Sequence, residues 1–183
     1  MAATGAAAFG THEPYREPAS AQDGRRQERE RKEAERPLAS YTVLTALFTL
    51  LCGGFAEWMR RTGRRLPERV GAADLALVTV ATHKLSRLIT KDRVTSSLRH
   101  PFTRYQDDSG AGEVEEEARG TGMRRAIGEL LICPYCIGMW IAAAFTAGLA
   151  VAPRPTRWIA SSLSALFGSD VLQVAYRKLE DSL

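Results

Sequence analysis

The sequence predicts an all-α polytopic membrane protein, with three to four transmembrane helices behind a charged, disordered amino-terminal tail. Three observations carry this reading. Leu130 to Ala152 is a run of 23 residues without one charge, where about 20 apolar helical residues cross a bilayer core. Pro37 to Ala56 gives a second uncharged run, of 20 residues. The mean hydropathy of −0.20 resembles that of a soluble protein, yet here apolar blocks alternate with charged loops rather than mixing with them.

Residues 1–36 form the tail and residues 37–183 the membrane domain. Arg25 to Arg36 holds six basic and four acidic residues, which leaves no apolar face to bury; mixed charge of this kind marks a solvated or disordered segment. The first span is expected at about 38–57, bracketed by Pro37 and by the Gly53-Gly54 pair, with Tyr41 and Trp58 at headgroup level. Five arginines, from Arg60 to Arg69, follow in a turn closed by Leu66-Pro67. The segment 72–89 is apolar from Leu75 to Thr82 but carries His83, Lys84 and Arg87 in its second half. It is either a short span with polar groups turned inward or an interfacial helix whose cations reach the surface.

Residues 90–126 read as a polar loop. Its acidic, Gly-rich centre, Asp107 to Gly122, lacks the spacing of an EF-hand and is expected to be flexible and solvated. The main span is placed at 130–152, PRPTR serves as a tight reversal, and 158–176 returns across the membrane between Trp158 and Tyr176. Asp170 within that last segment needs a partner, for which Lys84 and Arg87 are the candidates; otherwise it reaches the interface.

The net charge of +4, from 25 Lys and Arg against 21 acids, suits basic loops flanking spans better than nucleic acid, because no basic stripe carries interleaved aromatics. With four spans and an inside amino terminus, 18 cations fall inside and 7 outside. That bias places both termini in the cytoplasm of a bacterial cell membrane. If 72–89 does not span, a three-span layout puts the amino terminus outside. The expected partners are the lipid bilayer and a membrane protein or a second copy of the chain, with no nucleic acid.

The chemistry-bearing motif is Cys133-Pro134-Tyr135-Cys136 at the entry to the main span. Two cysteines three apart can meet over one helical turn, and helix N-terminal amides lower the pKa of the first. The tetrapeptide also occurs at the active site of glutaredoxins, whose redox site needs a βαβ setting absent from this sequence. Three readings stand: close helix packing around small residues, a thiol pair with Cys133 as nucleophile and Cys136 resolving, or a metal site. A closed zinc site needs four ligands; His83, His100 or a second chain would have to complete it. No cofactor is expected, although zinc fits the last reading.

The run HKLSRLITKDRVTSSLRHPF from His83, followed by GTGMRRAIGELLICPYCIGMW from Gly120, resembles the bacterial and phage membrane family called domain of unknown function 1360. One Bacillus member of that family is labelled a sporulation protein. The matching positions include Arg87, Asp92, Arg93, Arg99, Arg124, Glu129, Cys133, Cys136 and Trp140. The resemblance implies membrane residence and brings no activity. Arg125 and Glu129 form an i, i+4 pair, and Asp92 and Glu129 are expected to neutralise Arg93 and Arg124 near the membrane surface. The function expected is that of a non-enzymatic membrane adaptor or structural component, with thiol–disulfide exchange or metal binding as alternatives.

Overall fold

Apolar segments joined by charged turns set the order of elements. The structure, a computed structural model, describes Gly24 and residues 37–67 and 69–182; the expected tail otherwise lies outside the described residues. From Pro37 the elements are α1 (Leu38–Arg61), α2 (Ala72–Thr90), a single turn α3 (Ser96–Arg99), β1 (Thr103–Gly110), β2 (Glu113–Ala118), α4 (Gly122–Ile132), α5 (Pro134–Val151) and α6 (Pro153–Glu180). The described residues are mostly helical, with one small two-stranded sheet among them. Among the described residues, two helices, α1 and α5, are long and apolar enough to cross a membrane.

α1 runs through Gly53-Gly54 rather than stopping there. A glycine pair weakens a helix by only about 1 kcal/mol per residue, and the next turn is held by Glu57, which accepts from Arg60 and Arg61 at 2.8 and 2.6 Å. The helix stops at Gly63, whose φ of +66° suits the left-handed residue after a helix end. α1 packs on the rest through few contacts: Phe48 meets Trp140 edge-on at 5.0 Å, and within α1 only Met59 is buried.

The apolar core lies where α2, α5 and α6 meet. Val78, Ala81, Ile141, Phe145, Ala160 and Leu163 are buried together there. Cross-helix pairs fix the directions. Asp74 faces Arg157 at 2.7 Å and Lys84 faces Asp170 at 2.6 Å, so α2 and α6 run parallel. α5 runs against both, because only Ala152 separates its end from α6. PRPTR is thus the opening of α6 and not a loop, since proline is tolerated in a first helical turn. Gly148 makes this corner tight: a Cβ there would stand 2.7 Å from Thr156 Oγ1. At the other end, the start of α1 meets α4, where Tyr41 donates to Glu129. The long helices therefore alternate in direction, and the sheet sits at the end where α2 and α6 finish.

The segment 90–126 is not the flexible loop its composition suggests. β1 and β2 pair antiparallel, with Thr103 opposite Ala118 and Tyr105 opposite Glu116. Gly110, Ala111 and Gly112 make the turn, all at positive φ. Val114 and Glu116, two apart on one face of β2, are both buried. The hairpin also extends onto the chain leaving α2, through Val114 N–H to Lys91 O at 2.8 Å and Arg93 N–H to Gly112 O at 3.0 Å. α4 closes over its far end at Gly128, where a Cβ would lie 2.5 Å from Phe102 O and 3.0 Å from Ala118 Cβ. Gly128→Ala is therefore expected to lower stability by about 1–3 kcal/mol. Gly138→Ala, inside α5 with open space at its Cβ, should instead raise it, by up to about 1 kcal/mol. Chemical unfolding in detergent compares the two.

Candidate functional site

Two places gather the polar residues. The first is the junction of α2, α3 and the hairpin, built on Arg99. Its side chain is only 1% exposed and that of Glu116 2%. All five guanidinium N–H groups are used. Nε and Nη2 donate to the two Glu116 oxygens at 2.9 and 3.1 Å. Nη1 donates to Ile89 O and Thr95 Oγ1, both at 2.6 Å, and Nη2 also reaches Asp92 O at 3.1 Å. Thr95 in turn donates to Leu88 O at 2.5 Å. Two of the last carbonyls of α2, Leu88 O and Ile89 O, which have no helical donor, are thus satisfied by Thr95 and Arg99. Glu116 further accepts from Ser96 and from Thr103, the latter at 2.7 Å.

Burial pushes the Glu116 carboxyl up, but the hydrogen bonds from Arg99, Ser96 and Thr103 outweigh it and hold it below the usual carboxylate range. Lys91, at 2.7 Å, does the same to the exposed Glu115. The remaining cations around the α2 exit also find hairpin acids: Arg87 with Glu113 at 2.5 Å and Arg93 with Asp108 at 2.6 Å. Asp92 does not neutralise Arg93; its carboxylate accepts from Val94 N–H at 2.9 Å. Between this junction and the last turns of α6 lies a cleft of about 350 Å³, lined by His83, Lys84, Arg87, Asp92, Glu113 and Asp170 among others. Of the two candidate partners of Asp170, Lys84 makes the pair.

The second place is the α4–α5 joint. Cys133 is extended, at φ −105° and ψ 104°, and ends α4 while capping α5. Pro134 begins α5, where its missing N–H is no loss. Cys133 and Cys136 are joined as a disulfide, and the Cys133 sulfur accepts from Cys136 N–H at 3.2 Å. Beside them a cleft of about 520 Å³ is lined by Tyr41, Glu129, Met139 and Trp140. Glu129 pairs with Arg125 at 3.0 Å and not with Arg124, whose guanidinium instead donates to Pro101 O.

Neither candidate histidine joins the cysteine pair within this chain: the His83 ring stacks edge-on with Phe167 at 5.3 Å, and His100 ends α3. Among the described residues, no three His, Cys, Asp or Glu side chains come together to hold an ion.

The family model described as "Protein of unknown function (DUF1360)" matches residues 77–176, from the middle of α2 to near the end of α6. The chain belongs to this family. The "Sporulation protein YjcA" of Bacillus subtilis (strain 168) is 32% identical over 93 residues, 49% of this chain and 79% of that protein. No solved structure matches. The family's matched stretch contains both polar places, so Arg99 and the cysteine pair fall inside it while α1 falls outside.

Sequence reasoning singled out Arg99, Asp92 and Arg93 but missed Glu116, Thr103 and Ser96. The available signal was Ser109-Gly110-Ala111-Gly112, a glycine-bearing turn that could close a hairpin, followed by Val114 and Glu116 in alternation. Removing one partner of a buried ion pair strands the other charge, so Arg99→Ala should cost about 3–5 kcal/mol. Because the Glu115 and Glu116 pKa values are lowered in the folded state, their contribution is complete above the ordinary glutamate pKa of about 4.3. It is lost as pH falls through the lower folded values. Unfolding midpoints measured from pH 7 down to pH 3 should therefore fall below about pH 4.5, and Glu116→Gln should flatten that decline.

Proposed function

We propose that the chain is a multi-pass protein of the bacterial cell membrane, crossing it with α1, α2, α5 and α6, and that it serves as an adaptor or structural component. The observation that carries this is the alternating direction of those four helices, with the hairpin at one end. At 1.5 Å per residue, the 19 residues of α2 and 18 of α5 extend about 28 and 27 Å, close to the roughly 30 Å hydrocarbon core.

The charges on α2 and α6 support their placement in the bundle. Asp74 pairs with Arg157 and Lys84 with Asp170, so the bilayer would meet no unpaired ion from these four residues. Cation bias puts the hairpin end and both termini in the cytoplasm. There the outer edge of the hairpin, with exposed Arg104, Asp107 and Glu117, is the surface offered to a protein partner. The Bacillus relative's label names a process and no reaction, which accords with such a role.

Single cysteines placed by Arg65→Cys and Arg104→Cys, in a chain with Cys52, Cys133 and Cys136 changed to serine, test both parts. A membrane-impermeant maleimide applied to intact cells should label the first site, and should reach the second only after permeabilisation. Labelling of both from the same side would contradict the four-span layout. With a benzophenone maleimide on the Arg104→Cys site, irradiation should give one discrete protein adduct; lipid adducts alone would contradict the adaptor role.

A further inference from the structure

The Cys133–Cys136 pair has the surroundings of a reactive disulfide rather than of an inert staple. It closes only one turn, with Cα atoms 5.2 Å apart, so it constrains little chain that α5 does not already hold. The two sulfurs are not equivalent. Cys133 is half-buried at the joint and caps α5, where the free amides and the positive end of the helix dipole favour a thiolate. Cys136 N–H already points at its sulfur. Cys136 is exposed, and the neighbouring Tyr135 is 91% exposed, so a reacting thiol approaches Cys136 without displacing the chain.

We propose that this pair is a thiol–disulfide exchange site for a protein dithiol, with Cys136 carrying the covalent bond to the partner and Cys133 as the leaving and resolving thiolate. A partner thiolate attacks Cys136 Sγ, the Cys133–Cys136 bond breaks, and its electron pair stays on Cys133, the better-stabilised leaving group. The partner's second thiolate then attacks its own sulfur in the mixed disulfide. Cys136 is released as a thiolate and the partner leaves as a disulfide. Two electrons have passed from the partner to the pair, and the two thiol protons pass through solvent. In the reverse direction the reduced pair gives two electrons to a protein disulfide through the same adduct at Cys136. These roles invert the assignment that motif order alone suggests, and the reason is exposure.

The test uses the full chain with Cys52→Ser, in detergent, so the result does not depend on the membrane orientation proposed above. Glutathione is the probe. Over mixtures from fully reduced to fully oxidised, alkylation followed by mass measurement should show the pair passing from dithiol to disulfide. With oxidised glutathione, Cys133→Ser should accumulate one glutathione adduct at Cys136, and Cys136→Ser should form its adduct at Cys133 at least about tenfold more slowly, as access governs which sulfur is attacked. A pair that never changes state across the glutathione range overturns the site. Equal or faster adduct formation at Cys133 overturns the assigned roles. Circular dichroism of both variants separates loss of exchange from loss of fold.

Discussion

A guanidinium cannot shed its charge at any ordinary pH, so a buried arginine has to find an acceptor for every N–H it carries. Arg99 does this with one carboxylate, one hydroxyl, one helix-end carbonyl and one carbonyl of the turn that follows. Those acceptors belong to α2, to the turn after it and to β2. Meeting the demand of one side chain therefore fixes where α2 ends, how the chain turns, and where the hairpin docks. The outer ion pairs, Arg87–Glu113, Lys91–Glu115 and Arg93–Asp108, are more exposed and individually worth little. They set the register of the contact more than its strength. Once the hairpin is seated, Gly128 lets α4 lie against it, and α4 delivers Cys133 to the head of α5.

The helical bundle is held by a different kind of interaction. Its core is small and apolar, and its cross-helix charges come in pairs at two levels, Asp74–Arg157 near one end and Lys84–Asp170 near the other. Such pairs discriminate among helix registers, since sliding α6 by a turn against α2 would separate both at once. α1 stands apart, touching α4 and α5 through Tyr41–Glu129 and Phe48–Trp140. It is also the long helix that lies outside the family match.

How much of this was legible in the sequence follows the range of each interaction. Uncharged runs announced α1 and α5, and the demand of Asp170 for a cation narrowed its partner to Lys84 or Arg87, because an isolated charge among apolar residues is expensive anywhere. Helix ends were less legible. Gly53-Gly54 looked like a stop and PRPTR like a loop, yet packing and first-turn tolerance of proline overrode both signals. The hairpin was missed because its composition is that of a solvated loop. Its docking comes chiefly from Arg99, 17 residues from Glu116, and no local pattern reveals a partner at that distance. Arg99 was visible as a motif residue, but its role needed Glu116, which looked like one more surface acid among six. The cysteine motif was plain; which sulfur is exposed was not, since that depends on α4 ending at Cys133.

The central claim is that the α2 exit and the hairpin form one cooperative unit through Arg99. Amide hydrogen exchange followed by mass spectrometry on the intact protein and on Arg99→Lys tests it most directly. A lysine keeps the charge but cannot serve five acceptors with a planar fork. The account predicts that amides of Thr103–Ala118 and of the last turn of α2 lose protection together, by a common factor, while α5 keeps its own. Loss of protection in the hairpin alone, with the end of α2 unchanged, would contradict it.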